Sequence, residues 1–431
     1  MKRDLLQKLI VWKTHPLRKP LILRGARQVG KSWVIKRFSQ YFPSYVEINF
    51  EKEEETKSLF DGKLDVQQLL ERLSLYAKKK IVPGETLIFF DEVQECERCL
   101  RALRYFKEEC PELHVIAAGS LIDFTLEKIG MPVGRVQFLY LFPMSFGEFL
   151  IACDREDLRN HILLQQFDPL IHPIILELFK NYLWLGGMPA VVDSWVRFRN
   201  PVLCQEVQTE IILAYRQDFE KYARTNQIEH VSKVFNAIPS LIGTKFKFSN
   251  VDIDLKAALL KEALSLLGKA GIAYPCFHSS GHSLPLGAEV DSKKFKVFFL
   301  DIGLAQRMLG LDLREWVLKP VKLKLLGSLA EQLVAQEYIA YSESNTPPEL
   351  YYWHREEKSS NAEVDFLFPK KGMIIPIEVK SGPQGGMKSL KLFLESHPKS
   401  SFGLKIADNI YAKQTLFEEV PLYGIEGWIK K

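Results

Sequence analysis

The sequence predicts an α/β protein with a parallel sheet at its amino end, a mostly helical middle region and a second α/β domain at its carboxyl end. Three observations indicate this fold class. A short apolar run leads into a glycine-rich loop and a helix, apolar residues recur at helical spacing through the middle, and strand-like runs near the end carry carboxylates. A chain of 431 residues allows about three domains. We place them at residues 1–150, 151–310 and 311–431.

The glycine-rich loop near the amino terminus has the pattern of a phosphate-binding loop, or P-loop. Leu21 to Leu23 form an apolar strand, and residues Trp33 to Tyr41 follow a helical pattern. Between them lies Gly-x-x-x-x-Gly-Lys-Ser, whose glycines let successive N–H groups turn toward an anion at the start of the helix. The residues expected to contact the phosphates are Gly25, Ala26, Arg27, Gln28, Val29, Gly30, Lys31 and Ser32.

The chemistry of this loop predicts a nucleoside triphosphate, ATP, bound together with Mg²⁺. The Lys31 ammonium can reach the β- and γ-phosphates, and the Ser32 hydroxyl can complete the coordination shell of the metal. The run Thr86–Glu92 predicts a strand that is buried on both faces. At its carboxyl end we expect Asp91 to hold Mg²⁺ through water and Glu92 to orient or deprotonate the attacking water. The acid pair therefore predicts hydrolysis rather than binding alone.

Two further residues are candidates for contact with the γ-phosphate or the transition state. Ser120 follows the predicted strand His114–Ala118, and a polar residue at that strand tip can contact the γ-phosphate or the attacking water. Arg135 can neutralise transition-state charge in its own or in a neighbouring subunit, and the second case implies a homo-oligomer. The alternative for Arg135 is an ordinary solvated arginine.

The cysteines and the apolar segments predict a cytoplasmic protein. Cys96, Cys99, Cys110 and His114 are spaced superficially like a zinc site, but buried core cysteines are the simpler interpretation. Scattered cysteines in a large chain are typical of reduced cytosolic thiols. No apolar run approaches the roughly 18 residues of a membrane span, and the amino terminus lacks the apolar core of a signal peptide.

Several segments carry a resemblance to a known family. In the first domain they are Gly25–Ser32, Phe90–Glu92, Ala118–Ser120 and Leu141–Phe149, and in the second half they are Asp301–Ala305, Glu363–Phe366 and Ile377–Lys380. The first set resembles prokaryotic AAA-like ATPases of the AAA-14 type. Members usually carry a carboxyl-terminal domain of unknown function, which the second set resembles. The resemblance implies this architecture more firmly than any physiological role, and Gly147 departs from the charged residue often found at its position.

The middle of the chain predicts helices followed by a hairpin. Apolar periodicity indicates helices over Ile162–Trp184, Ile211–Tyr222 and Ile228–Leu241. Residues Phe248–Gly271 then predict a helix, a turn and a second helix, and two strand-like runs follow up to residue 300. This order predicts a winged helix, which binds DNA with its second helix in the major groove. A protein-interaction module is the alternative, because that helix offers little Arg, Asn or Gln for reading base edges.

The last domain predicts a nuclease-like site. The runs Glu363–Phe368 and Ile374–Lys380 are expected to pair as a hairpin that brings Asp365 near Glu378. Asp365, followed thirteen residues later by Glu-x-Lys, looks like the core of a PD-(D/E)xK nuclease. In such a core two carboxylates hold Mg²⁺, which activates a water molecule, and Lys380 positions or deprotonates the nucleophile.

A helix predicted over Leu325–Tyr341 carries Glu331, which we expect to be a further metal ligand. The alternative is a hairpin with ordinary charged residues, or a nuclease-like fold that does not cut.

Together these features predict a Mg²⁺-dependent ATPase coupled to a nucleic-acid-binding carboxyl-terminal half that is a candidate nuclease. The alternative is an ATP-gated signalling or protein-interaction switch with an inactive nuclease-like fold. The net charge of +5 is too small to name nucleic acid as the partner by itself. Nucleic acid and protein both stay open as partners, whereas a membrane is not expected.

Overall fold

The computed structural model describes residues 1–130, 134–311, 327–357, 360–380 and 386–431. They form two compact units, which we call the amino-terminal unit and the carboxyl-terminal unit. The amino-terminal unit comprises Met1–Phe142 and Glu343–Pro347, and the carboxyl-terminal unit comprises Pro143–Ser342 and Pro348–Lys431. The predicted division into three domains stays a prediction, and the first two residues of the helix predicted over Leu325–Tyr341 lie outside the described residues.

The amino-terminal unit is a parallel sheet flanked by helices. Its strands are β1 (Leu21–Arg24), β2 (Ser44–Asn49), β3 (Thr86–Asp91), β4 (His114–Ala118) and β5 (Gln137–Tyr140), and its helices are α1 (Leu5–Thr14), α2 (Lys31–Phe38), α3 (Val66–Ala77), α4 (Glu97–Glu109) and α5 (Ile122–Ile129). The strand order is β2-β3-β4-β1-β5, with every pairing parallel. Strands β1, β3 and β4 are buried throughout, which confirms the predicted parallel-sheet domain. The carboxyl ends of these three adjacent strands therefore meet at one edge of the sheet.

Strand β5 lies at the border of this sheet, and a short segment from later in the sequence pairs with its end. The backbone N–H of Tyr140 donates to the carbonyl oxygen of Ser344 at 2.7 Å. Residues Glu343–Pro347 thus belong to the amino-terminal unit, although about 200 residues of the other unit precede them. This unit is consequently not one continuous stretch of sequence.

The carboxyl-terminal unit begins with a series of helices. They are α6 (Phe146–Ala152), α7 (Glu156–Leu163), α8 (His172–Leu185), α9 (Pro189–Phe198), α10 (Pro201–Tyr222), α11 (Ile228–Leu241), α12 (Ala257–Lys269) and α13 (Ile302–Met308), followed later by α14 (Gly327–Tyr341), α15 (Lys388–Ser396) and α16 (Ile425–Lys430). The single helix predicted over Ile162–Trp184 is wrong, because Gln165 has a positive φ of 54° and Pro169 disfavours helix before it. None of the described helices is long and apolar enough to cross a lipid bilayer.

The helix–turn–helix predicted over Phe248–Gly271 is also wrong. Its first half is a single 3₁₀ turn, Phe248–Asn250. The carboxylate of Asp252 accepts the backbone N–H groups of Asp254 and Leu255, which holds the chain in a turn instead of a helix. Helix α12 packs against α11 instead.

Two sheets complete the carboxyl-terminal unit. One contains β6 (Ala273–Ser279), β7 (Val290–Phe299), β8 (Leu350–Glu357) and β9 (Ser360–Val364) in the order β7-β6-β8-β9, and the other contains β10 (Phe366–Lys370), β11 (Met373–Lys380), β12 (Gly403–Ala407), β13 (Ala412–Lys413) and β14 (Phe417–Pro421) in the order β10-β11-β12-β14-β13. The hairpin of β6 and β7 is present, but β6 also pairs with β8, so the hairpin is part of a larger sheet. Winged-helix identity therefore stays a prediction.

The strand predicted over Glu363–Phe368 is divided at Asp365. The residues before Asp365 pair with β8, and those after it pair with β11. Asp365 lies at the break because its carboxylate accepts the backbone N–H of Val379 at 2.8 Å, which replaces a main-chain ladder bond. The single strand predicted over Glu363–Phe368 is therefore two short strands in different sheets.

Candidate nucleotide site and carboxyl-terminal acid cluster

The loop between β1 and α2 has the backbone conformation that a phosphate-binding loop requires. Gly25 and Gly30 have φ angles of 148° and 96°, which other residues rarely adopt. A Cβ atom on Gly25 would overlap the carbonyl oxygen of Leu141. The buried guanidinium of Arg3 donates to the carbonyl oxygen of Val29 at 2.7 Å. Arg3 thus holds the loop from outside, and nothing in its sequence context indicated this contact.

Lys31 lies against the loop that it is predicted to serve. Its ammonium donates to the carbonyl oxygens of Gly25 and Ala26, each at 2.9 Å. Burial lowers the pKa of Lys31 to about 8, although the charges of Glu92 and Asp91 act in the opposite direction. A bound phosphate would add negative charge beside this ammonium and favour its protonated form.

The two residues predicted to hold Mg²⁺ are in direct contact. The Ser32 hydroxyl donates to Asp91 Oδ2 at 2.8 Å, and the side-chain amide of Asn49 donates to the same oxygen at 3.3 Å. Burial raises the pKa of Asp91, while the bond from Ser32 lowers it. Mg²⁺ prefers hydroxyl, carboxylate and phosphate oxygens. Ser32 and Asp91 therefore fit a magnesium ion that is shared with a triphosphate.

Glu92 is held by a neighbour that the sequence did not single out. Its carboxylate accepts the side-chain amide of Gln94 at 2.7 Å, and its own backbone has a positive φ of 49°. A Cβ atom on Gly119 would overlap the amide oxygen of Gln94. The glycine after β4 thus leaves room for Gln94. A polar residue two positions after the acid pair was the available signal.

The structure places the two predicted phosphate-sensing residues differently. Ser120 follows β4, which lies between β1 and β3, so this residue is at the same sheet edge as the loop. Arg135 precedes β5, whose first residue pairs beside Leu21 at the amino end of β1. Its guanidinium contacts Glu108 at 3.0 Å. Within its own chain Arg135 is therefore at the opposite end of the strands from Lys31, and only the role in a neighbouring subunit stays open.

The carboxyl-terminal unit contains a largely buried group of carboxylates, which we call the acid cluster: Glu331, Glu363, Asp365 and Glu378. Asp365 precedes Phe366, which pairs with Ile377, and its carboxylate accepts the backbone N–H of Val379, so it lies beside Glu378. The Lys380 ammonium forms an ion pair with Glu378, as their spacing suggested. The predicted carboxylates thus converge.

A buried lysine that the sequence did not single out lies among these acids. Lys296 is on β7 and its side chain is fully buried. Its ammonium lies 2.6 Å from Glu363 Oε1, 2.9 Å from Glu331 Oε2 and 3.8 Å from Asp365 Oδ1. The available signal was a lysine inside the apolar run Phe295–Leu300.

The electrostatics of the acid cluster reflect this lysine. Burial raises the pKa of Glu331, Asp365 and Glu378. Burial would lower the pKa of Lys296, but the surrounding carboxylates raise it well above its ordinary value. Within the described ranges, no group of three or more His, Cys, Asp or Glu residues is arranged to hold a metal ion. The arrangement therefore does not fit the predicted ligation of Mg²⁺ by Glu331, Asp365 and Glu378, because an ammonium group already lies among their oxygens.

Comparisons with known proteins agree with the geometry of the amino-terminal unit. Residues 17–150 match the AAA_14 family model, described as an AAA domain. Residues 176–315 and 326–424 match two domains of unknown function, DUF8612 and DUF4143. The chain thus has an AAA-type P-loop ATPase domain at its amino end and two domains of unknown function after it. No curated protein matches the sequence.

Two solved structures match this chain at low similarity. A Walker-type ATPase of Pyrococcus abyssi is 15% identical with a TM-score of 0.45, over 72% of this chain and 95% of that chain. The ORC1 protein of Aeropyrum pernix, solved in complex with DNA, is 13% identical with a TM-score of 0.27, over 73% of this chain and 92% of that chain. At these values neither structure indicates what the chain acts on.

Proposed function

We propose that the chain is a Mg²⁺-dependent ATPase that binds ATP at the loop Gly25–Ser32. The observation that carries this proposal is the 2.8 Å hydrogen bond between Ser32 and Asp91, which are 59 positions apart in sequence. It joins the end of the loop to the end of β3, where Glu92 follows. The match of residues 17–150 to an AAA domain supports the same activity.

Each residue of the site has a distinct role in this proposal. Lys31 exchanges its two carbonyl partners for phosphate oxygens of ATP, and Ser32 and Asp91 hold the metal. When bound, Mg²⁺ neutralises charge on the β- and γ-phosphates. Glu92, oriented by Gln94, accepts a proton from the attacking water. Ser120 contacts the γ-phosphate or that water from the neighbouring strand tip.

The test is phosphate release from Mg²⁺-ATP by the wild type and by Glu92→Gln. We expect the variant to bind ATP with unchanged affinity and to lose at least 100-fold in turnover, because the amide cannot accept the proton of water. Glu95→Gln is the matched control, since this acid is half-exposed and contacts Lys57 at 3.7 Å. Equal turnover of Glu92→Gln and the wild type would rule out Glu92 as the base.

For the carboxyl-terminal unit we propose a nuclease-like fold that binds nucleic acid or protein under control of ATP without cleaving it. The convergence of Asp365, Glu378 and Lys380 supports the fold, and Lys296 among the acids favours the form that does not cut. A role of Arg135 in a neighbouring subunit, and hence a homo-oligomer, and a cytoplasmic location belong to the same proposal.

A further inference from the structure

We propose that Lys296 is the built-in cation of the acid cluster and takes the place of a divalent metal ion. The cluster then holds its carboxylates together without metal and binds Mg²⁺ or Mn²⁺ only when Lys296 is removed or withdrawn. This inference deepens the proposal for the carboxyl-terminal unit and does not depend on the ATP site.

The contacts of Lys296 are those that a metal in the cluster would need. Its ammonium is 2.9 Å from Glu331 Oε2 and 2.6 Å from Glu363 Oε1, with Asp365 Oδ1 at 3.8 Å. Mg²⁺ binds carboxylate oxygens at roughly 2.1 Å. A metal on the same Glu331 oxygen would therefore lie within about 5 Å of the ammonium, where two like charges in a buried site repel strongly.

The position of Lys296 is fixed by the sheet. In β7 it pairs with Cys276 of β6, and the next three residues of the strand are all buried. Lys293 and Lys294 of the same strand are exposed. Lys296 thus differs from its neighbours in being directed to the acids instead of to solvent. Its ammonium also lies 5.4 Å from the centre of the Tyr352 ring, which closes another side of the site.

The test compares Mn²⁺ binding by the wild type and by variants of the full chain in the absence of nucleotide. Electron paramagnetic resonance measures the free Mn²⁺ that remains in each titration. In the wild type we expect no Mn²⁺ site in the acid cluster with a Kd below 1 mM. Asp365→Asn should therefore leave the Mn²⁺ binding of the otherwise wild-type chain unchanged. Lys296→Met should gain one site, at least tenfold tighter than any in the wild type, and the double variant Lys296→Met with Asp365→Asn should lose it. Lys294→Met, on the same strand and exposed, is the matched control and should behave as the wild type.

The proposal would be overturned if the wild type and Lys296→Met bound Mn²⁺ with equal affinity at a site that Asp365→Asn removes. Lys296→Met leaves buried acids without their cation, so the variant risks misfolding. In that case the comparison of the wild type with Asp365→Asn decides alone, because an Asp365-dependent Mn²⁺ site in the wild type contradicts the proposal. Turnover of Mg²⁺-ATP, measured in the same preparations, separates a failure of this inference from a failure of the ATPase assignment.

Discussion

At the scale of single residues, the proposed ATP site depends on Lys31. We expect Lys31→Ala to weaken ATP binding at least 100-fold, because its ammonium lies against the loop, 2.9 Å from the carbonyl oxygens of Gly25 and Ala26, where it would contact the phosphates. The control is Lys36→Ala on the same helix, whose side chain is 72% exposed and lies 3.9 Å from Glu47. Isothermal titration calorimetry with Mg²⁺-ATP measures both affinities. Wild-type affinity in a folded Lys31→Ala would contradict the P-loop assignment.

Gly147 has a physical explanation that its sequence context did not provide. In α6 a Cβ atom at this position would overlap the carboxylate of Glu426 and lie 2.6 Å from Arg159 Nε. These two side chains form a buried ion pair with N–O distances of 3.1 Å. Any side chain at position 147 would displace this pair.

We therefore expect Gly147→Ala to lower the free energy of unfolding by about 1–3 kcal/mol, the usual cost of overpacking. The matched control is Gly268→Ala in α12, where the added Cβ would have an ordinary contact of 3.6 Å with the Ala273 carbonyl oxygen. That change should be neutral or stabilise by about 0.5–1 kcal/mol, because alanine favours helix over glycine. Urea unfolding of the two variants gives both values. Equal stability of the variants would show that the space around Gly147 adapts.

At the scale of elements, helix α14 connects several parts of the carboxyl-terminal unit through buried polar side chains. The side-chain amide of Gln332 accepts the backbone N–H of Phe299 and donates to the carbonyl oxygen of the same residue. The side chain of Gln336 accepts the backbone N–H of Ile302 at 2.8 Å. Glu337 accepts the backbone N–H of Phe146 and the hydroxyl of Tyr182. The helix thus satisfies backbone groups where β7 passes to α13 and where α6 begins.

The protonation of Glu337 predicts how the stability of this unit depends on pH. Burial raises the pKa of Glu337 to about 7, with Tyr182, Tyr341 and Glu426 as its neighbouring groups. The folded chain keeps this proton at pH values where the unfolded chain has lost it. Its stabilising contribution is therefore complete below about pH 4.5 and is lost as the pH rises through 7.

The free energy of unfolding of the wild type should fall between pH 5 and pH 8 as Glu337 loses its proton. In Glu337→Gln we expect this fall to be smaller by on the order of 1–3 kcal/mol. Some dependence remains, because burial also raises the pKa of Asp301 to about 6. Urea midpoints at the two pH values measure the change, with Glu210→Gln on the exposed side of α10 as the control. An unchanged pH dependence in Glu337→Gln would assign it to other groups.

The elements show which parts of the fold the sequence could predict. Local signals were sufficient for β4 and α11, whose predicted bounds agree with the structure. Apolar periodicity failed after Leu163, because the positive φ of Gln165 and the presence of Pro169 separate two helices that share an apolar pattern. It also failed at Asp365, where a side chain replaces a ladder bond across a strand pair. The bond between Asp365 and Val379 joins residues that are 14 positions apart, so no local sequence pattern contains it.

The same distinction applies to the two candidate sites. The residues of the proposed phosphate-binding loop, Gly25 to Ser32, are adjacent in sequence, so their motif could be recognised directly. Arg3 and Lys296 reach their sites only through the tertiary fold, and Gln94 through a turn after β3. Without Lys296, the acid cluster looks like a metal site in sequence.

At the scale of the whole molecule, the proposal for the carboxyl-terminal unit predicts binding of nucleic acid without cleavage. We expect affinity for labelled duplex or single strands to fall as salt rises, because phosphate contacts release counterions. The strands should remain intact with Mg²⁺ or Mn²⁺, with and without ATP, because Lys296 lies among the acids. Gel shifts at increasing salt and denaturing gels measure the two outcomes. Cleavage that Asp365→Asn abolishes would contradict the inactive form, and absence of binding would favour a protein partner.

The segment Glu343–Pro347 has a consequence for work with separate parts of the chain. A gene fragment that ends at Phe142 would contain the whole phosphate-binding loop and all five strands, yet it would lack Ser344 beside Tyr140. The border of β5 would then carry main-chain groups with no hydrogen-bonding partner, and exposed strand edges promote self-association. Poor solubility of such a fragment would reflect where it was cut and would say nothing about its capacity to bind ATP.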